Sequence, residues 1–281
     1  MSKSTSGGTR GSRTVRRRHP RPGRLIGLAA AIAVLVCGCA DDTGAGPSGS
    51  QEDQVAPIAK EELLKLPEAT TFGKIPNAPK DPAPQSESTG KVVRVHDEVP
   101  VYAAKGGKPI ARMPTKQLGS PTWLAVIDKL DGWYQVLLPS RPNQSTGWLR
   151  ESDGKLEEAT NDYLIKINLA DFRLSVSENG KELGNWEIGI GKDNFPTPTG
   201  RTAIISSLEE TVQDYSPIIL PLGAHSDAHS TFGGGPGTVG IHGWPDDSVL
   251  GTKTSDGCVR VPKGALDLLS TLPLGTVVII S

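Results

Sequence analysis

The chain has 281 residues, 36% of them hydrophobic, and carries 33 glycines and 23 prolines, which disfavours helices and favours strands, turns and linkers. The formal net charge of −1 hides an asymmetry: residues 1 to 38 hold eight basic and no acidic residues, and the remainder has 22 basic against 31 acidic, a net of −9. Such an acidic remainder argues against phosphate-backbone recognition, so no nucleic acid is expected as a partner, and against electrostatic docking on anionic lipid.

Residues 1 to 24 are basic, with Arg16, Arg17, Arg18, Arg21 and Arg24, and Leu25 to Val36 is an apolar run of twelve. A bilayer span needs about 20 such residues, so a basic stretch followed by a short apolar one reads as an export signal. The arginine run is a weak feature of twin-arginine export. The segment ends in Val36-Cys37-Gly38-Cys39, then Ala40-Asp41-Asp42, and resembles the bacterial lipobox. On that resemblance residues 1–38 are a signal peptide, Cys37 is cleaved away and Cys39 carries the lipid. The protein is then expected on the outer face of the cell membrane, anchored by lipid and acting in the cell wall. A plain signal peptide with an incidental cysteine is the alternative. With Cys37 removed and Cys39 acylated, Cys258 has no disulfide partner.

Residues 39–90 are rich in Pro, Gly, Ser, Thr, Asp and Glu and predict a mostly disordered tether. A short helix is expected at Lys60 to Leu66, stopped by Pro67. From 91 to 155 the pattern changes to short strands. Lys91-Val92-Val93-Arg94-Val95 alternates with a period of two. Val99 to Tyr102 follows, then Trp123 to Ile127, then Trp133 to Leu138 after the Asp131-Gly132 turn, then Gly147-Trp148-Leu149. The pattern Asp131-Gly132-Trp133-Tyr134-Gln135-Val136 with Gly147-Trp148-Leu149 resembles bacterial SH3-type domains. That implies a small SH3-like barrel, with cell-wall peptide as a possible ligand. Alternatively, Trp123, Trp133 and Trp148 simply build the core of a small domain.

Residues 160–281 predict a mainly β, mostly antiparallel domain with little helix. The expected strands are Tyr163 to Leu169, Phe172 to Ser177, Trp186 to Gly191, Thr202 to Ile205 and Gly275 to Ile280. Asn179-Gly180 is a hairpin turn signal, and Leu266 to Leu272 is one short helix.

The chemistry gathers near the C-terminus. Cys258 lies in Thr254-Ser255-Asp256-Gly257-Cys258-Val259-Arg260-Val261, sixteen residues after His242 in Gly240-Ile241-His242-Gly243. A cysteine nucleophile acts as its thiolate and needs a base, and histidine serves near neutral pH. Glycine beside each lets the backbone approach a ligand, and Gly257 frees amides to face a developing oxyanion. The alternatives are a small buried thiol and a hydrogen-bonded core histidine. His225 and His229 have i, i+4 spacing, but the glycines around them argue against a helix, no HExxH is present, and neither metal nor cofactor is expected. A serine-hydrolase elbow is likewise missing from the sequence.

Ile241-His242-Gly243, Leu250-Gly251, Ser255-Asp256-Gly257-Cys258-Val259-Arg260 and Gly275-Thr276-Val277-Val278-Ile279 together resemble the L,D-transpeptidase catalytic domain of the YkuD family. Gly191 through Thr197-Pro198-Thr199-Gly200 matches that family's earlier signature. The resemblance implies a β-sandwich in which Cys258 attacks the carbonyl of the third residue of a peptidoglycan stem tetrapeptide and terminal D-Ala leaves. His242 moves the proton, amides near Gly257 and Cys258 hold the oxyanion, and an amine of another stem takes the acyl group, giving a 3→3 cross-link. Water in its place gives an L,D-carboxypeptidase, and a lapsed wall-binding protein is the non-enzymatic alternative. Carbapenems are the implied inhibitors. Ser255 and Gly243 are placed at the substrate, and Arg260 either positions a substrate carboxylate or makes a structural ion pair. The family has histidine where Asp256 stands. Asp256 either orients His242 by triad logic, is tolerated, or weakens the enzyme by raising the thiol pKa.

Overall fold

The computed structural model describes residues 56–87, 89–211, 214–231 and 235–281. The signal segment, Cys39 and the first part of the tether lie outside the described residues. Helix α1 (Lys60–Leu63) is followed by β1 (Lys91–Val95), β2 (Val99–Tyr102), β3 (Pro109–Met113), a small hairpin of β4 (Lys116–Gln117) and β5 (Ser120–Pro121), β6 (Trp123–Leu130), β7 (Trp133–Leu137), β8 (Thr146–Arg150) and β9 (Leu156–Thr160).

These strands form a sheet of order β3-β2-β8-β7-β6-β1-β9, with β4 and β5 paired separately. The sheet is open where a closed barrel was expected. β9 pairs along β1 from Lys91↔Thr160 to Val95↔Leu156, taking the edge that closure would need and carrying the sheet past residue 155. At the other end residues 67–69 cover β3, with Ala69 N–H donating to Arg112 O at 2.8 Å and Arg112 N–H to Pro67 O at 2.9 Å. Covering the β3 edge hides backbone groups that would otherwise pair with another chain. Of the three tryptophans, Trp133 is buried, while Trp123 and Trp148 are half-buried beneath Arg94 and Lys105.

The expectation of a disordered tether over 39–90 is corrected for 56–87. Ala69 and Ile75 join the core of the N-terminal sheet. Ile75 N–H donates to Arg141 O, Asp81 N–H to Gln144 O, and Thr146 N–H to Pro79 O, each at 2.8 Å. Asp81 is fully buried and receives two bonds from the Arg201 guanidinium, at 2.9 and 2.7 Å. Arg201 also donates to Ser86 O and Glu87 O, both at 3.1 Å. The segment is a strap held by backbone bonds and one buried ion pair, which composition does not reveal.

The second half contains β10 (Tyr163–Asn168), β11 (Arg173–Glu178), β12 (Lys181–Glu187), β13 (Ile190–Gly191), β14 (Gly200–Ala203), β15 (Leu208–Glu209), β16 (Ile218–His225), β17 (Thr238–His242), β18 (Lys253–Ser255), β19 (Val259–Arg260), α2 (Lys263–Leu269) and β20 (Val277–Ile280). Two sheets, β12-β11-β10-β20-β14 and β15-β16-β17-β19, enclose one core that draws on Ile165, Ile167, Leu174, Leu220, Ile241, Val259 and Val278. This is the expected mainly β sandwich with little helix. Its exceptions to antiparallel pairing are β10 with β20, β13 with β18 and β17 with β19. The β11–β12 turn has Asn179 and Gly180 both at positive φ, +49° and +76°, as a primed hairpin turn requires.

β20 is buried on both faces. Val278 and Ile280 enter the sandwich core, while Val277 and Ile279 pack with Ala125 and Leu137 of the N-terminal sheet. Its unbroken apolar run follows from that double burial. Replacing Asp81 with Ala strands the Arg201 guanidinium in a buried site. Urea unfolding is expected to show a loss of about 3–5 kcal/mol, whereas Lys166→Ala, which breaks the exposed Lys166–Glu87 pair, should change stability by less than about 1 kcal/mol.

Candidate active site

The site is assembled by strand pairing. β17 and β19 run parallel with Ile241 opposite Val259 and His242 opposite Arg260, so the histidine and the residue after Cys258 come from adjacent strands. Val261 N–H donates to His242 O at 2.9 Å, and Arg260 exchanges two 2.8 Å backbone bonds with Gly189 on its other side.

The loop before the cysteine is fixed atom by atom. Ser255 Oγ donates to Cys258 O at 2.5 Å and accepts from Gly257 N–H at 3.2 Å. Thr197 Oγ1 donates to Gly257 O at 2.9 Å and accepts from Gly191 N–H at 3.0 Å. Gly257 has φ +117°, a conformation other residues rarely adopt. Gly191 has no room for a side chain, since a Cβ there would lie 2.3 Å from Phe195 O. Because the peptide is planar and trans, holding Gly257 O against Thr197 turns the Cys258 N–H the opposite way. Gly257 N–H is already engaged by Ser255, so of the two amides expected to hold an oxyanion, Cys258 N–H is the better placed.

His242 is buried and donates from Nδ1 to Gly243 O at 2.6 Å, which leaves Nε2 as the proton acceptor of a neutral ring. Burial lowers its pKa to about 4, with the nearby Arg260 charge acting the same way. Cys258 is a half-buried free cysteine. Packing around its sulfur pushes its pKa up, a hydrogen bond from the Gly240 backbone and the Arg260 charge pull it down, and the Asp256 charge raises it. At neutral pH these directions leave a neutral imidazole and a protonated thiol.

Asp256 does not orient His242. Its carboxylate binds Lys192 Nζ at 2.6 Å, and the imidazole is oriented by Gly243 O instead. Arg260 makes no ion pair with a carboxylate among the described residues. Its guanidinium lies over Trp244 at 3.7 Å from the ring centroid, Nη1 donates to Thr254 Oγ1 at 3.1 Å, and Nε is buried without a partner. Gly243 N–H donates to Ser216 Oγ at 2.8 Å, tying the histidine loop to the turn before β16.

Four residues here were not singled out from sequence: Thr197, Lys192, Tyr215 and Trp244. Tyr215 meets the His242 ring edge-on at 5.1 Å and lies 5.7 Å from Trp244, forming an aromatic wall. Thr197 sat inside a quoted motif, while the others carry no pattern of their own. His225 and His229 are not brought together as ligands. His225 closes β16, buried, with Nε2 2.7 Å from Thr71 O, and His229 stacks on Phe195 at 4.2 Å.

Residues 162–280 match the family model of YkuD, the L,D-transpeptidase catalytic domain. The Bacillus subtilis (strain 168) protein YkuD, which carries an L,D-transpeptidase name, is 29% identical over 120 residues, 42% of this chain and 66% of its own length. The chain thus spans just under two thirds of that relative. Among solved structures, the catalytic domain of an Enterococcus faecium L,D-transpeptidase is 23% identical, covering 43% of this chain and 98% of that one at a TM-score of 0.34. L,D-transpeptidase 3 from Mycobacterium tuberculosis, in complex with a faropenem-derived adduct, is 14% identical over 50% of this chain and 75% of that one, at a TM-score of 0.37.

The buried neutral histidine gives a pH signature. Its folded pKa of about 4 lies below the ordinary 6.5, so the unfolded chain takes up the extra proton between those values. Stability is full above about pH 6.5 and falls as pH drops toward 4, by up to about 3 kcal/mol from this residue. Urea unfolding across that window should show a shallower pH dependence in His242→Gln than in the parent chain.

Proposed function

We propose that the sandwich domain is a cysteine-dependent L,D-transpeptidase acting on peptidoglycan stem peptides. The observation that carries the reading is the parallel pairing of β17 with β19, which sets His242, with Nε2 open to accept a proton, beside the strand that follows Cys258. The match of residues 162–280 to the YkuD family supplies the substrate class.

In the first half-reaction the Cys258 sulfur bonds to the carbonyl carbon of the third stem residue while His242 Nε2 takes the thiol proton. The Cys258 N–H donates to the oxygen as it gains charge. The carbon–nitrogen bond then breaks, His242 returns the proton to the amine, and D-Ala departs, leaving a thioester. In the second half-reaction a side-chain amine of another stem attacks the thioester and gives up its proton to His242. The new amide forms, the sulfur leaves and takes the proton back, and a 3→3 cross-link results. Arg260, with its buried unpartnered Nε, is the group to hold a substrate carboxylate. Ser255 and Thr197 act through the loop geometry they fix.

The lipid on Cys39, attachment to the outer face of the membrane and work in the wall belong to the same reading. The acidic remainder of the chain makes a covalent lipid the better anchor. Carbapenems present a strained amide to the same thiol and are expected to acylate Cys258.

The full chain incubated with tetrapeptide stems, with products read by mass spectrometry, is expected to lose D-Ala and form dimers. Loss of D-Ala without dimers makes the protein a carboxypeptidase, and neither product, with no carbapenem adduct on Cys258, sinks both readings. Cys258→Ala should abolish acylation, a loss of at least about 10³-fold given the nucleophile's role, whereas Asp256→Ala should retain it.

A further inference from the structure

A carboxylate two residues before a nucleophilic thiol opposes its ionisation. Asp256 acts on Cys258 in that sense, and the fold answers with a specific counter-charge. Lys192 Nζ lies 2.6 Å from Asp256 Oδ1. The lysine is delivered by backbone register rather than by a chance surface encounter. Lys192 N–H donates to Ser255 O at 3.0 Å, and its neighbour Gly191 pairs in parallel with Ser255. Gly191 N–H also meets Thr197 Oγ1, the same hydroxyl that holds Gly257 O. The Lys192 ammonium lies 4.9 Å from the Phe195 ring centroid, and Phe195 in turn stacks on His229, so the side chain is held from below.

The charged groups acting on the thiol are Asp256 and Arg260 on its own segment, and the thiol in turn acts on Tyr215, on the turn before β16; the neutral His242 lies on β17, the strand paired with the segment after Cys258. Asp256 also acts on Arg260. The neighbouring Lys253–Asp193 pair, at 2.8 Å, is internally balanced. Among the described residues Asp256 is therefore the negative charge that acts directly on the Cys258 thiol, and Lys192 is the cation bound to it.

We propose that Lys192 is a positioning residue for the nucleophile: by binding the Asp256 carboxylate it lets Cys258 ionise as it would beside a neutral residue, and so makes aspartate workable at this position. The inference rests on the reading of Cys258 as the nucleophile, but its test needs no substrate. Both side chains are partly exposed, at 40% and 36%, so the effect is a tuning one.

The pH profile of iodoacetamide alkylation, read on the Cys258 peptide by mass spectrometry in the full chain, measures thiol ionisation directly. Lys192→Gln is expected to move the midpoint up and slow alkylation about two- to fivefold at neutral pH, and Lys192→Arg to stay with the parent chain. Asp256→Asn should move the midpoint down, and Lys192→Gln added to Asp256→Asn should shift it less than in the parent chain, because the carboxylate that fixes the ammonium is gone. An unmoved midpoint in a folded Lys192→Gln, or an equal shift in the Asp256→Asn background, overturns the proposal. Should Lys192→Gln fail to fold, Lys192→Met in the same assay decides: an unmoved midpoint overturns the proposal. Failure of cross-linking with the expected alkylation shifts would remove the transpeptidase reading and leave this inference standing.

Discussion

The site depends on a two-residue strand. β19 is only Val259 and Arg260, yet it lies between Gly189 and β17, and its register with Ile241 and His242 decides where Cys258 stands. A strand that short has little stability of its own. It is held because Val259 and Val261 are buried in the sandwich core while Arg260 turns outward onto Trp244. The peptide before the cysteine is then gripped from both sides, by Ser255 from within the loop and by Thr197 from the segment after β13. On the proposed reading, the Cys258 N–H is fixed as an oxyanion donor before a substrate binds, which is what makes such donors effective.

Charge is distributed around that backbone with one consistent effect. Burial keeps the histidine neutral and the thiol protonated at rest. The cation on Arg260 and the anion on Asp256 then act on the sulfur in opposite senses, and Lys192 takes up the anion.

The strap from residue 56 to 87 ties this site to the rest of the molecule. Thr71 bonds the end of β16 through His225 Nε2 and β17 through Thr238, where the two hydroxyl oxygens lie 2.5 Å apart. Asn143 brackets the His225 backbone, and Arg141 gathers the carbonyls of Ser226, His229 and Pro236 onto one amino group. The loop that leads into β17 and His242 is thus restrained by parts of the chain that lie outside the sandwich. Burying Asp81 against Arg201 is favourable only when both form well-directed bonds, as they do here.

By itself the sequence determined the strand-rich class, the Asn179–Gly180 hairpin and the last apolar strand, and it singled out Cys258, His242 and Gly257 as candidates, because each of these rests on local residue chemistry: periodicity, turn conformation, a lone thiol and a glycine before it. It misread the segment before residue 90, where only Ala69 and Ile75 supply deeply buried apolar anchors to the N-terminal core and the remaining support comes from backbone bonds whose partners are distant in the chain. It also expected a barrel that β9 leaves open, since the choice of which strand takes the free edge of β1 is a matter of pairing and not of pattern. Only the tertiary structure decided what Asp256 does. Sequence adjacency to Cys258 suggested a partner for His242, but the parallel pairing of β13 with β18 brings Lys192 to the carboxylate, and the histidine bonds the Gly243 carbonyl instead. Contacts between residues some sixty positions apart depend on register, and register is set by the whole sheet.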